Sequence, residues 1–124
     1  MRPADSTHEE TLSTLYHVLR AARRRQVIAQ FQEYSTFPIS VRELARTIAA
    51  KEEDVRLEHA TGEQYRNAYN ALSQTHLPTL ADAGIIIYDP DRQTVVPDRN
   101  LTLAALLVAI GPPVLETLSG ESGD

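Results

Sequence analysis

Residues 64–87 read Gln-Tyr-Arg-Asn-Ala-Tyr-Asn-Ala-Leu-Ser-Gln-Thr-His-Leu-Pro-Thr-Leu-Ala-Asp-Ala-Gly-Ile-Ile-Ile, and this stretch decides the fold. Its first half has the periodicity of an amphipathic helix, with one apolar stripe and one polar face. The stripe consists of Tyr65, Ala68, Tyr69 and Leu72. No Asp or Glu occurs between positions 64 and 81, in a chain that has 17 acidic residues.

The polar face of this helix carries the side chains that suit a DNA major groove. Asn and Gln pair with adenine edges and Arg pairs with guanine, whereas a carboxylate on this face would be repelled by the phosphates. We therefore predict a DNA-reading helix over residues 62–76. The predicted base contacts are Gln64, Arg66, Asn67, Asn70, Ser73 and Gln74.

The second half of the stretch resembles a known family. Its pattern is similar to the S-x-x-H-L-x-x-L-x-x-A-G-hydrophobic end of the recognition helix in winged-helix regulators of the ArsR and PadR kind. The matching positions are Ser73, His76, Leu77, Leu80, Ala83 and Gly84. One residue departs from the pattern, because Pro78 lies inside it and an interior proline removes a helix hydrogen bond. We expect a kink that separates a reading half, 62–76, from a core-packing half, 78–83.

The residues before the reading helix predict three further helices. Residues 1–6 are expected to be a flexible arm, with Thr7 capping a first helix and a second helix over 21–34. Ser40 and Glu43 form a capping box, which predicts a helix over 41–50 that resembles the first helix of a helix-turn-helix. Its N-terminal residues Ser40 and Arg42, together with Thr61, are predicted to contact DNA phosphates. An acidic insert of unassigned role occupies 51–61.

The triplet Arg23–Arg25 has two interpretations. It is either structural, as a solvated helix start or as the partner of Glu9 and Glu10 in salt bridges, or a cluster that binds phosphates. The sequence leaves both open.

A hairpin follows Gly84. Residues 85–88 are rich in β-branched side chains, residues 89–93 have turn chemistry, and residues 94–97 predict the return strand. We interpret this hairpin as a wing. Arg92 and Gln93 are its predicted DNA contacts, although an arginine in a solvent-exposed turn explains Arg92 equally well.

The C-terminal part predicts a helix over 99–118, which is apolar nearly all round, and then a disordered tail over 119–124. A chain of this size has no place to bury such a helix, so we predict a homodimer. The predicted dimer residues are Leu12, Leu15, Leu103, Leu106, Leu107 and Ile110.

Composition restricts the function further. The chain has 124 residues, no cysteine and a formal net charge of −5, with 11 arginines and a single lysine. It has neither a Gly-rich phosphate loop nor histidines at metal-ligand spacing, so we predict no enzyme, cofactor or metal site. Nothing in it predicts a membrane span or a signal peptide, so a cytoplasmic location is expected.

Together these patterns predict a mainly α fold with a small β-hairpin: a winged helix-turn-helix domain over 7–98 with an added dimerisation helix. With its arginine bias, the chain resembles the small RosR-like winged-helix regulators of halophilic archaea. This resemblance implies a dimer that binds a palindromic operator in double-stranded DNA. The alternative is a winged helix that binds other proteins, for which an acid-free face would not be needed.

Overall fold

The computed structural model describes residues 3–54 and 62–110, with side chains from residue 9 onward. The chain is mainly helical, with one small antiparallel sheet. In chain order the elements are α1 (Pro3–Val18), α2 (Ala22–Phe31), β1 (Ile39–Ser40), α3 (Val41–Glu53), α4 (Gly62–Ala71), a π-helical turn (Leu72–His76), α5 (Leu77–Asp82), β2 (Ile86–Asp89), β3 (Thr94–Pro97) and α6 (Leu101–Ile110). The predicted tail, the end of the predicted C-terminal helix and most of the acidic insert lie outside the described residues.

The boundaries of the first two helices differ from the predictions. Helix α1 begins at Pro3 rather than Thr7, so it includes part of the predicted arm. Proline is favoured in the first turn of a helix, where its missing N–H costs nothing. Helix α2 ends at Phe31, three residues before the predicted end.

Helix α3 begins where the sequence predicted it. The side chain of Ser40 accepts a hydrogen bond from the backbone N–H of Glu43 at 3.0 Å, which confirms Ser40 as the N-cap. The helix continues to Glu53 and ends with Asp54 in the left-handed conformation.

The hairpin is confirmed, and it gains a third strand that the sequence did not predict. Strand β3 lies in the middle of the sheet, with β2 on one side and β1 on the other. Tyr88 pairs with Val95 in the β2–β3 register, and Ile39 pairs with Val95 from β1. The pairing fastens the start of α3 to the hairpin.

Gly84 ends helix α5 with a Schellman arrangement of hydrogen bonds. The N–H of Ile85 donates to Leu80 O at 3.1 Å, and that of Gly84 donates to Ala81 O at 3.0 Å. Gly84 has φ +75°, which a residue with a Cβ adopts only with strain. The side-chain amide of Asn100 also donates to Ala83 O at 2.9 Å, which joins the start of α6 to the end of α5.

One hydrophobic core unites all these elements. Each of the helices and strands described above contributes at least one buried apolar side chain to it. Its largest fully buried side chains are Leu15, Leu19, Ile28, Leu44, Ile48, Leu72, Leu77, Leu80, Ile85, Ile86, Val27 and Val41. Within residues 3–54 and 62–110, no helix combines the length and apolar character that crossing a bilayer requires.

Candidate nucleic-acid interface

Helix α4 presents the polar face on which the DNA-binding prediction depends. Arg66, Asn67, Asn70 and Gln74 are all exposed. At about 100° per residue, the three of these positions that lie in α4 fall within an arc of about 100°, and Gln74 follows in the π-helical turn. Glu63, which is also exposed in the first turn of α4, falls within the same arc. The face therefore carries three amides and one guanidinium toward solvent, with one carboxylate at its N-terminal end.

The opposite face of α4 is anchored in the core. Ala68 and Leu72 are completely buried there. Tyr65 and Tyr69 pack against the core with ring centroids 5.9 Å apart. Because one face is anchored so completely, the polar face keeps a defined direction.

Two predicted base contacts do not lie on this exposed face. The hydroxyl oxygen of Ser73 is buried and makes no hydrogen bond, so Ser73 is unsuited to reading a base. Gln64 is half-buried. Thr61, a predicted phosphate contact, lies outside the described residues.

The expected interruption at Pro78 takes the form of a π-helical turn. The N–H of Leu77 donates to Leu72 O, five residues earlier. A proline ring clashes with the carbonyl four residues before it, and a widened turn relieves that clash. The hydroxyl of Thr79 donates to Thr75 O at 2.7 Å and so satisfies one carbonyl of the turn. The helix thus continues past Pro78 into α5, where Leu80 is fully buried, as the core-packing half was predicted to be.

His76 closes this turn in an unfavourable setting for a charged imidazole. Its Nδ1 atom is buried without a hydrogen-bond partner. Burial lowers the pKa of His76 below its ordinary 6.5, and the positive charges of Arg24 and Arg23 lower it further, whereas Glu52 opposes them. His76 is therefore neutral in the folded chain at pH 7.

Helix α3 contributes two exposed arginines beside α4. Arg42 lies in its first turn, as predicted, and Arg46 lies one turn later. The guanidinium carbon of Arg46 is 5.6 Å from the ring centroid of Tyr65, a cation–π contact that holds this side chain against α4. The sequence analysis missed Arg46, although its i+4 spacing from Arg42 placed both on the same helix face.

The tip of the hairpin is shaped by Asp89. Its Oδ1 accepts the N–H groups of Asp91 at 3.0 Å and Arg92 at 3.1 Å. The Arg92 side chain is 83% exposed, with its Nε 3.9 Å from Asp89 Oδ2. The tip therefore offers a guanidinium to solvent beside the Asp89 carboxylate, which lowers its attraction for phosphate.

Gln93 does not present its side chain to solvent as the prediction required. Its Nε2 donates to Pro90 O at 2.8 Å and lies 3.4 Å from the Tyr88 hydroxyl. Its Oε1 accepts a hydrogen bond from the hydroxyl of Tyr69 on α4. The amide is thus occupied within the chain, and a DNA contact through it is not supported.

The arginine triplet is structural. Arg23 forms a bidentate ion pair with Glu52 on α3, with Nε 2.7 Å from Oε2 and Nη2 2.8 Å from Oε1. Arg24 donates to Val18 O and Arg25 to Leu19 O, both at 2.7 Å, so these two side chains cap the C-terminal carbonyls of α1. These contacts lie within the chain, as the structural interpretation requires, but the ion-pair partner is Glu52 and not the predicted Glu9 or Glu10.

The predicted dimer residues divide into three groups. Leu15 and Leu107 are buried in the chain's own core, at 0% and 5% exposure, and cannot reach a partner. Leu12 and Leu103 are half-buried. Leu106 is 59% exposed and Ile110 is 44% exposed. Helix α6 is thus partly covered, and what remains outside is a narrow stripe of Leu103, Leu106 and Ile110.

No group of three or more His, Asp or Glu side chains in the described part of the chain could hold a metal ion. Residues 16–96, more than half of the 124-residue chain, match the family described as a domain of unknown function, DUF7344. The match runs from within α1 to β3 and ends before α6. Comparisons with curated proteins and with solved structures find no match.

Proposed function

The chain belongs to the DUF7344 family, and we propose that it is a homodimeric winged-helix protein that binds double-stranded DNA by sequence. In this proposal α4 enters the major groove, while α3 and the β2–β3 hairpin contact the backbone on either side. Each protomer reads one half of a palindromic operator, and the dimer regulates transcription from it. The dimer's twofold symmetry requires the operator to be palindromic.

The exposed face of α4 is the observation that carries this proposal. The amides of Asn67, Asn70 and Gln74 can donate and accept at base edges, and Arg66 can donate. A bidentate Asn–adenine or Arg–guanine pair discriminates by about 1–3 kcal/mol. After Glu63 in the first turn, no carboxylate occurs over residues 64–81, so the part of the face that carries these four side chains has no negative charge to repel phosphates.

The order of elements supports the winged-helix interpretation. Strand β1 precedes α3 and α4, and it pairs with β3 of the hairpin that follows them. This is the helix–strand–helix–helix–strand–strand order of a winged helix, with the hairpin as its wing. The link between α3 and α4, residues 55–61, is longer than a strict helix-turn-helix turn of three to four residues.

The remaining exposed stripe on α6 supports the dimer. Leu103, Leu106 and Ile110 follow helical spacing, and burying such side chains contributes about 1.5–3 kcal/mol each before association costs. With Leu15 and Leu107 in the core, we place the interface on this stripe, with Leu12 as the contribution of α1.

The proposal is tested by selecting operators from a randomised double-stranded DNA pool and measuring fluorescence anisotropy at several KCl concentrations. Arg66→Ala is expected to lower the ratio of operator to random-sequence affinity by about 5- to 150-fold. Arg42→Ala is expected to weaken both DNAs alike. It should also reduce the slope of log affinity against log salt by about 1 for each phosphate that the variant no longer neutralises.

Arg99→Ala is the matched control, since it removes an exposed arginine far along the chain from both helices. It is expected to change neither the ratio nor the slope. A wild-type protein that shows no preference among the selected DNAs contradicts the proposal.

The protein-binding alternative has one observation in its favour. Ile87 is 54% exposed on β2, an edge strand that another protein could extend. Failure of the DNA selection combined with loss of a partner in an Ile87→Lys variant would favour that function instead.

A further inference from the structure

Gln93 occupies a position where three elements meet. Its backbone carbonyl accepts the N–H of Val41, the first residue of α3, at 2.9 Å. Its side chain accepts the hydroxyl of Tyr69 from α4 and donates to Pro90 O in the hairpin. One residue of the hairpin loop therefore contacts both helices of the proposed DNA-binding surface.

The backbone at Gln93 is in the left-handed conformation, with φ 56°. This conformation suits glycine or asparagine and is strained for a residue with a longer side chain. Strain of this kind persists where the surrounding structure over-determines it, and it concentrates at functional positions. At Gln93 the hydrogen bonds to Val41, Tyr69 and Pro90 hold the backbone in this conformation.

We infer that Gln93 and Tyr69 form a clasp that sets the angle between the hairpin and helix α4, so that the wing and the reading helix meet DNA in one register. Gln93 is thus a positioning residue and not a DNA contact. This inference rests on the proposed DNA-binding function for its purpose, while the clasp itself rests on the contacts given above.

The geometry explains why the clasp needs these particular side chains. Tyr69 packs its ring on the core, so its hydroxyl projects from a fixed point on α4. The Gln93 amide has both an acceptor, which Tyr69 uses, and a donor, which closes on Pro90 O. The bond to Pro90 O holds the amide in place on the loop, and a shift of the loop away from α4 breaks the bond to Tyr69.

Tyr69→Phe tests the clasp with the smallest change, because it removes the hydroxyl and keeps the ring. Tyr65→Phe is the matched control, being the same change one turn earlier on α4. Gln93→Gly is the second variant, since it removes the amide while glycine still adopts the left-handed backbone.

The first measurement needs no DNA. The Val41 amide is held by Gln93 O, so its hydrogen exchange, followed by NMR, reports whether the clasp is closed. Loss of one ordinary hydrogen bond is expected to speed this exchange about fivefold in Tyr69→Phe, and Gln93→Gly, which loses the bonds to both Tyr69 and Pro90, should speed it at least as much. Tyr65→Phe should leave it unchanged. Unchanged exchange at Val41 in both clasp variants overturns the inference.

The second measurement is a double-mutant cycle with Arg92→Ala at the wing tip, using the selected operator. Tyr69→Phe is expected to weaken operator binding about fivefold when Arg92 is present and less than about twofold when it is absent. Equal losses in both backgrounds overturn the positioning role. If Val41 exchange responds while the wild type prefers no DNA sequence, the clasp stands and the proposed function fails.

Discussion

Asn67 offers a substitution for which stability and function should change in opposite directions. Asn67 is exposed in the interior of α4. Asparagine is a poorer helix former than alanine by about 0.5 kcal/mol. Asn67→Ala should therefore raise the free energy of unfolding by about that amount.

The same change should damage DNA recognition. If the Asn67 amide pairs with an adenine edge, its loss removes about 1–3 kcal/mol of discrimination, or about 5- to 150-fold in the ratio of operator to random-sequence affinity. Urea denaturation measures the first quantity and fluorescence anisotropy measures the second. A more stable protein that discriminates less well cannot be explained by partial unfolding.

Ser13→Ala is the control for this experiment. Ser13 is exposed on α1, and alanine should improve helix propensity there too. Its discrimination ratio should stay at the wild-type value. The reasoning is refuted if Asn67→Ala keeps the full ratio. A loss of more than about 1 kcal/mol of stability in the variant would show that Asn67 also has a structural role.

Substitutions at α6, the arginine triplet and His76 test three other parts of the structure. Leu106→Ala should leave the fold intact and weaken the dimer, as measured by light scattering, and a wild type that is monomeric at micromolar concentration would contradict this prediction. Leu107→Ala should instead cost about 2–5 kcal/mol of stability, because Leu107 is buried. Arg25→Met should cost about 1 kcal/mol by uncapping Leu19 O without changing DNA affinity, and a selective loss of DNA affinity would restore the phosphate interpretation of the triplet. His76 has a lowered pKa in the folded chain, so the unfolded chain takes up its proton first as the pH falls past 6.5, and stability should fall until the folded pKa is passed. Urea denaturation at neutral pH and at a pH below the folded pKa of His76 measures this fall in the free energy of unfolding. The fall should be smaller in His76→Gln than in the wild type, and an equal fall would show that other groups cause it.

Local signals in the sequence were sufficient to predict most of the helices and strands. The Ser40–Glu43 spacing located the start of α3, and the β-branched run after Gly84 located the hairpin. The first strand was missed because its two residues, Ile39–Ser40, are too short to show any periodicity. That strand exists only because β3 offers it a partner much later in the chain, where Val95 pairs with Ile39.

The part of the candidate site that depends on a single helix could also be predicted from the sequence. The exposed amide face of α4 follows from helical geometry alone, so Asn67 and Asn70 could be placed without coordinates. Gln93 could not, because its role depends on a tyrosine 24 residues earlier in the chain that the fold brings to it. For the same reason, the pairing of Arg23 with Glu52 is invisible to a method that compares only neighbouring residues.

The assignment of the arginine triplet to structural contacts changes the electrostatic argument for DNA binding. Within residues 3–54 and 62–110, Arg23–Arg25 are engaged within the chain, the exposed arginines of α3 and α4 are Arg42, Arg46 and Arg66, and Arg92 is screened by Asp89. About three neutralised phosphates per protomer, or about six for the proposed dimer, correspond to a salt slope of about −5.4, roughly half of the slope of about −10 known for a strongly salt-dependent repressor. In a chain of net charge −5, we therefore expect phosphate attraction to contribute a smaller share of the affinity than it does in such a protein. The hydrogen bonds of the α4 amides, and the wing angle that the Gln93 clasp maintains, are then expected to contribute more, and this makes discrimination rather than affinity the quantity that substitutions on this face should change first.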